Sequence, residues 1–387
     1  LYPFQETVNS TKDKSKIIEM IDIGGNSLIR SAVKNYEKTI PITDPNDYVA
    51  FIRAYPLKQT QRKKFAKKAI LQVANYDKAI FDWFDGKITN KYELRYGENP
   101  HQNAFALVDD NKFSQLSGNK KLSYNNLLDL DAAVKIVNGI KTKKNICAII
   151  KHNTPCGASI DAIQTESYNK ALAGDPVSAF GGIISFNKNI NVKTANLLVK
   201  NFYEVISAPS YDKEALKVLK TKKNLRIIKV KNSNQKIESR SFFGGTLIQN
   251  SNNKNSLVKN INGINKLSSE KINFFVNILK SIKSNAIAVF DENSLISQSG
   301  GQTSRVDALQ NCLYKFKLKH KSKNFQKIYL FSDAFFPFTD SLLIIKRQRI
   351  KFEIYAPMGS KNDLNILKNI KKHNLKFFKL SDRHFKH

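Results

Sequence analysis

Lys151-His152-Asn153-Thr154-Pro155-Cys156-Gly157 is the segment best suited to chemistry. It follows the apolar run Ile146-Cys147-Ala148-Ile149-Ile150, which predicts a buried strand over 146–150. Ligands of open α/β sheets gather outside the carboxyl ends of strands. An ammonium beside an imidazole disfavours a second positive charge and so leaves the ring free to accept a proton. A positioned general base contributes about 10²–10⁴-fold to a rate. Lys151 is equally suited to facing a phosphate or a developing oxyanion. The same spacing also fits a surface lysine beside a hydrogen-bonded turn histidine, and residue types alone do not choose between the two.

Five further segments have chemical potential, each with a bland alternative. Arg95-Tyr96-Gly97-Glu98-Asn99-Pro100-His101-Gln102 is polar and aromatic, a lining for an anionic heterocycle or an ordinary turn. Gly174-Asp175-Pro176-Val177-Ser178-Ala179-Phe180-Gly181-Gly182 lets a ligand approach the backbone closely, yet fits neither G-x-G-x-x-G nor a Walker A loop. Gly300-Gly301-Gln302-Thr303-Ser304-Arg305-Val306-Asp307 reads as a glycine turn entering a helix, where free N–H groups and Arg305 suit an anion. The phenylalanines of Ser332-Asp333-Ala334-Phe335-Phe336-Pro337-Phe338-Thr339-Asp340 stack on a flat ring or fill a core. The tail Asp382-Arg383-His384-Phe385-Lys386-His387 is basic, and terminal basic segments commonly fray.

Zinc is the competing use of the His and Cys residues. A zinc deaminase needs H-x-E and P-C-x-x-C. Here Pro155-Cys156 continues as Gly157-Ala158-Ser159 and no H-x-E occurs, so no metal site is expected. The three cysteines, Cys147, Cys156 and Cys312, form no framework and fit a reducing, cytoplasmic setting. No apolar run approaches the ~20 residues of a membrane span, and Leu1-Tyr2-Pro3-Phe4 is no signal peptide. The formal net charge of +32 raises a nucleic-acid-binding alternative. Scattered lysine runs and the lack of a zinc-finger or RNP-type motif favour solvated faces instead, a surface that would gather anionic small substrates.

The elements that must position these groups alternate. Strands are expected at 146–150, 182–186, 204–208, 285–290 and 327–331, and amphipathic helices at 126–140, 162–173, 269–282 and 305–316, giving an α/β class. The Asn-, Lys- and Ser-rich stretch 249–266 reads as a connection between two halves. Leu1-Tyr2-Pro3-Phe4 reads as a strand end. Residues 21–47 read as turn, helix, strand and turn, with Ser27 as the helix cap. A Lys-rich helix over 58–84 turns Phe65, Ala69, Val73, Tyr76, Ile80 and Phe84 inward, and a boundary follows near 86–94.

Arg95–Gln102, Ser123-Tyr124-Asn125-Asn126, Lys151–Gly157, Gly174–Gly182, Gly301–Arg305, Ser332–Phe338 and Arg383–His387, in this order, resemble the bifunctional purine-biosynthesis enzymes that combine AICAR transformylase with IMP cyclohydrolase. The resemblance runs over essentially the whole chain. It implies two deaminase-like α/β halves, about 95–250 and 265–387, within a transformylase domain over 86–387. It implies formyl transfer from the co-substrate 10-formyltetrahydrofolate to the amine of AICAR, without zinc and with room for a monovalent cation. A homodimer is implied, with no nucleic-acid or membrane partner. His152 is implied as proton acceptor with Lys151 assisting. Arg95 and Tyr96 hold the nucleotide, and Arg383 reaches its phosphate. Gly181, Glu204 and Asn285 contact the substrate or the transferring group, and Phe335 packs on the base. Arg305, Asp340 and Gly359-Ser360 face folate or nucleotide. Glu204 stands where some members carry Asp.

Residues 1–85 resemble the later part of the cyclohydrolase domain plus a linker helix, the remainder of a methylglyoxal-synthase-like α/β domain. Asp22-Ile23-Gly24-Gly25 and Arg30-Ser31-Ala32-Val33-Lys34-Asn35 carry that likeness. Lys34 falls on the family's proton-transfer lysine, and Tyr2 and Asp22 fall beside the nucleotide site. The earlier part of that domain, which supplies most phosphate loops, has no counterpart, so ring closure to IMP is expected to be impaired.

Overall fold

The computed structural model describes residues 1–86, 89–231, 236–319 and 327–387. The chain separates into two compact units: Leu1–Tyr92 with Ala106–Asn111, and Glu93–Phe105 with Lys112–His387.

The first unit is built on the 26-residue helix Gln59–Phe84, against which Phe4, Val8 and Ile17 bury with Tyr76, Ile80 and Trp83. Ala69 and Val73 are buried as the period requires, but Phe84 is 68% exposed and Trp83 takes the inward place. Steps of 3-4-3 (73, 76, 80, 83) stay on one face, whereas a second consecutive step of four drifts off it. Two local expectations change. Leu1–Phe4 is no strand end: a helix runs over Phe4–Ser10 with Pro3 at its N-cap, where a missing N–H costs nothing. Nor does Ser27 cap the next helix, Gly24–Lys34, because it lies inside it. Asp22 does that work, accepting the Gly25 N–H at 2.6 Å, and a Cβ on Gly25 would stand 2.4 Å from Asp22 Oδ2. No strand is present among residues 1–85. Residues 36–40 turn instead, because Pro41 offers no N–H and no neighbouring strand is there to pair. This stretch is therefore helical rather than α/β.

The second unit contains two six-stranded sheets. The first sheet has β1 (Phe113–Ser117), β2 (Asn145–Lys151), β3 (Thr154–Asp161), β4 (Gly182–Phe186), β5 (Tyr203–Ala208) and β6 (Arg226–Val230). The second has β7 (Val258–Asn262), β8 (Ile287–Phe290), β9 (Leu295–Ser299), β10 (Ile328–Ser332), β11 (Phe352–Pro357) and β12 (Lys376–Leu380). Their orders, β1-β6-β5-β4-β2-β3 and β7-β12-β11-β10-β8-β9, are the same order repeated. In each, three central strands are parallel and the other pairings antiparallel. The two similar halves are thus a repeated topology.

Strands β2, β4 and β10 are largely apolar because both their faces are covered. On β2, Ile146, Ala148 and Ile150 enter a cluster shared with helices Tyr124–Asn138 and Ser269–Leu279 and with Ala288, Phe331 and Tyr355 of the second sheet. Cys147 and Ile149 point to the opposite cluster. The stretch 249–266 is more than a connection. It ends an exposed hairpin (Ile237–Phe242, Gly245–Asn250) and then supplies β7, an edge strand antiparallel to β12. Its polar composition suits an edge.

Candidate active site

Strand β2 delivers Lys151 and His152, and β3 returns with Lys151 opposite Thr154. The connection is therefore the two residues His152 and Asn153, at φ +53° and +57°. Positive φ at both central residues is the hairpin geometry that matches strand twist, and glycine normally supplies it. Both N–H groups of this turn donate to Asp129 of the helix Tyr124–Asn138, His152 N to Oδ2 at 3.2 Å and Asn153 N to Oδ1. Burial raises the Asp129 carboxyl pKa, while those two N–H groups and the nearby His152 oppose the rise.

The carboxyl end of β2 is not the carboxyl edge of the parallel strands. Because β2 is antiparallel to β4, the carboxyl end of β2 lies at the amino ends of β4, β5 and β6. Those ends carry Gly181, Glu204 and Arg226. Lys151 Nζ donates to the Phe180 carbonyl, and Gly181, at φ +69°, donates its N–H to Phe202 O at 2.8 Å. Glu204 Oε2 accepts from Asn126 Nδ2 at 2.8 Å and from the buried Arg226 at 3.2 Å. Burial lowers the Arg226 pKa and Glu204 raises it. Ser123 and Asn126 form a reciprocal cap at the same helix start. Arg95 and Tyr96 adjoin this start: Arg95 N donates to Leu122 O at 2.8 Å and Tyr124 N to Tyr96 O at 3.1 Å. The exposed Arg95 guanidinium lies 4.6 Å above the Tyr96 ring and donates to its hydroxyl at 2.7 Å.

A cavity of about 520 Å³ opens beside Lys151 and His152, with Cys156, Asp175, Gln298 and Lys315 among its walls. Lys319 pairs there with Asp175. Burial pushes the Cys156 thiol up to about 12, and it donates to Ile149 O at 3.3 Å, so it is no nucleophile. Among the described residues no three His, Cys, Asp or Glu side chains converge as metal ligands.

The second-half residues form their own cluster, at the carboxyl ends of β10 and β12. Arg305 is buried and fully engaged, donating to Ser332 Oγ at 2.9 Å, to Asp333, and to Asn285 Oδ1 at 2.7 Å. These bonds turn its guanidinium toward Asp333 and Asn285. Asn285 Nδ2 donates to Gln302 O at 3.0 Å and Thr303 O at 3.2 Å. Ser284 Oγ donates to Asp333 Oδ2 at 2.5 Å and accepts from Lys386 N at 3.2 Å.

That last bond is part of how the tail is held, contrary to fraying. His384 N donates to Asp333 O at 2.8 Å, and its ring, 2% exposed, meets Ser256 Oγ at 2.7 Å and Asn252 Nδ2 at 3.2 Å. Burial, then repulsion by Lys280, lowers the His384 pKa to about 4. Arg383 lies 5.2 Å over the Phe385 ring. Phe335 is half-buried, while Phe336 belongs to the core. Asp340 is exposed at the start of Asp340–Lys346, and the Gly359 and Ser360 N–H groups are both taken by Asp363.

In the first unit Tyr2 N donates to Asp22 Oδ2 at 3.2 Å. Lys34 is exposed at the far end of Gly24–Lys34, about 15 Å along the axis from Gly24, whereas Asp22 sits at the other end. The structure does not bring these three together. Asp129 and Arg226 lie outside the segments that the sequence singles out, and Asn126 and Asp333 lie inside them without an expected role. A Ser-x-x-Asn cap with an acid one turn later was the available signal for Asn126 and Asp129.

A family model described as AICARFT/IMPCHase bienzyme matches residues 32–315. The chain belongs to the AICARFT/IMPCHase bienzyme family. It is 36% identical to the bifunctional purine biosynthesis protein PurH of Persephonella marina, 39% identical to that of Prochlorococcus marinus strain MIT 9515 and 36% identical to that of Fusobacterium nucleatum. In each case all of the chain and 80% of the relative are covered. The two halves share one strand order, but their polar clusters are built differently. The His152 turn stands on the first sheet, and the Asn285–Arg305–Asp333 network on the second.

Proposed function

We propose that this chain is an AICAR formyltransferase of purine biosynthesis, with His152 as the base. What carries the reading is the His152 turn, held by Asp129 at the mouth of a cavity and flanked by Lys151, within a member of this family. The AICAR amine is conjugated to an electron-poor ring and is a weak nucleophile. It attacks the formyl carbon of 10-formyltetrahydrofolate as His152 accepts its proton. Lys151 stabilises the oxyanion, or Asn285 does once one of its N–H groups leaves the Gln302 or Thr303 carbonyl that holds it. The tetrahedral species then collapses, breaking the bond to N10 as the proton held by His152 passes to that nitrogen, and releases tetrahydrofolate with formylated AICAR.

The exposed Arg95 and half-buried Tyr96, stacked on each other, hold the nucleotide. Glu204 and Gly181 contact the substrate, Phe335 packs on its base, and Arg383 reaches its phosphate. Asp340 and Gly359-Ser360 border the folate. A monovalent cation is compatible with this assignment, and a homodimer is the working form. The purified chain, given AICAR and 10-formyltetrahydrofolate, is expected to yield formylated AICAR and tetrahydrofolate in equal amounts, read by mass spectrometry. Absence of both products with folded protein would overturn the assignment.

A further inference from the structure

We propose that Asp129 is a positioning residue that holds the His152-Asn153 turn in its working conformation. The inference rests on the reading of His152 as base. Two consecutive non-glycine residues at φ +53° and +57° occupy a region that side chains disfavour, so something outside the turn must hold them there. Asp129 is placed to do so: one carboxylate receives both turn N–H groups, one on each oxygen. The carboxylate is itself fixed by its helix. One turn earlier Asn126 is locked by the Ser123 cap and reaches Glu204 and Arg226. A single helix start therefore sets the His152 turn and the Glu204–Arg226 pair in register. It explains why the turn reads His-Asn without glycine, since an external acceptor replaces glycine's freedom.

Displacing a reacting group by ~1 Å can cost about 10²-fold in rate. Asp129→Ala is expected to lower kcat by about 10²-fold while KM for AICAR moves less than about threefold, because His152 is misplaced rather than a binding group removed. Asp129→Asn, which keeps the shape and an acceptor oxygen, is expected to lose about tenfold, and it carries the test if the alanine variant does not fold. The decisive variant adds Asn153→Gly to Asp129→Ala. Glycine takes positive φ unaided, so at least about tenfold of the lost kcat should return. A general loss of packing would not be repaired by a glycine.

The His152 ring signals in NMR spectra report the turn independently of turnover. They should shift in Asp129→Ala and return with Asn153→Gly. Unmoved ring signals, or an unchanged kcat in Asp129→Ala, would overturn the positioning role. Ring signals that return without turnover would instead overturn His152 as base, and with it the catalytic meaning of the turn.

Discussion

Replacing Arg305 by Met tests the second-half network. The Arg305 and Asp333 side chains are 6% and 0% exposed. Without the guanidinium, the Asp333 carboxylate stays buried with Ser284 Oγ as its side-chain donor. Removing one partner of a buried pair costs about 3–5 kcal/mol, a large share of the ~5–15 kcal/mol that holds a typical fold. The urea midpoint should fall accordingly. Catalysis should fall separately. Asn285 Oδ1 loses its 2.7 Å donor, leaving the amide tethered only through Nδ2. Loss of an oriented oxyanion donor is worth up to about 10²–10³ in kcat. Arg305→Met with Asp333→Leu removes the stranded charge, so it should recover most of the stability and none of the kcat. An Arg305→Met enzyme less than about 1 kcal/mol destabilised, well below that cost of breaking a buried pair, and with unchanged kcat would refute the reasoning.

Further outcomes follow from the same networks. The folded His384 pKa of about 4 lies below the unfolded value of ~6.5, so in that window the unfolded chain holds a proton the folded chain does not. Stability is full above ~6.5 and falls by up to about 3 kcal/mol as pH drops to 4. His384→Gln should flatten that segment of a plot of urea midpoint against pH, and an unchanged slope would remove His384 as its source. Glu204→Ala leaves the buried Arg226 with Asn126 and the Asn224 carbonyl but no counter-charge, and should cost about 1–3 kcal/mol together with a raised KM for AICAR. A lysine at Arg95 should also weaken AICAR binding, since it keeps the charge but loses the planar stack on Tyr96, and calorimetry reads the difference.

The alternation of elements was legible because strands buried on both faces read as apolar runs; β2, β4, β5 and β10 lie where their Ile, Val and Phe residues put them. The segments of the site were legible too, as short polar stretches breaking those runs. Their roles were less so. Arg305 reads as a ligand-facing cation, and only the fold shows Asp333 and Asn285 waiting for it. Asp129 reads as one acid in Leu127-Leu128-Asp129-Leu130-Asp131, and its importance comes from a turn 23 residues away. The tail looked free because its anchors, Ser256, Asn252 and Asp333, lie far off in sequence. The first unit misled where Pro3 and Ser27 have alternative uses that local spacing does not separate.

The central claim is that His152 takes the proton of the AICAR amine. It is tested most directly by mixing AICAR and 10-formyltetrahydrofolate with the unaltered enzyme and with His152→Ala, measuring formylated AICAR in one turnover and AICAR affinity by calorimetry on the same preparations. The account predicts unchanged affinity and a transfer rate lowered by at least about 10²-fold. Transfer at the unaltered rate in His152→Ala would contradict it.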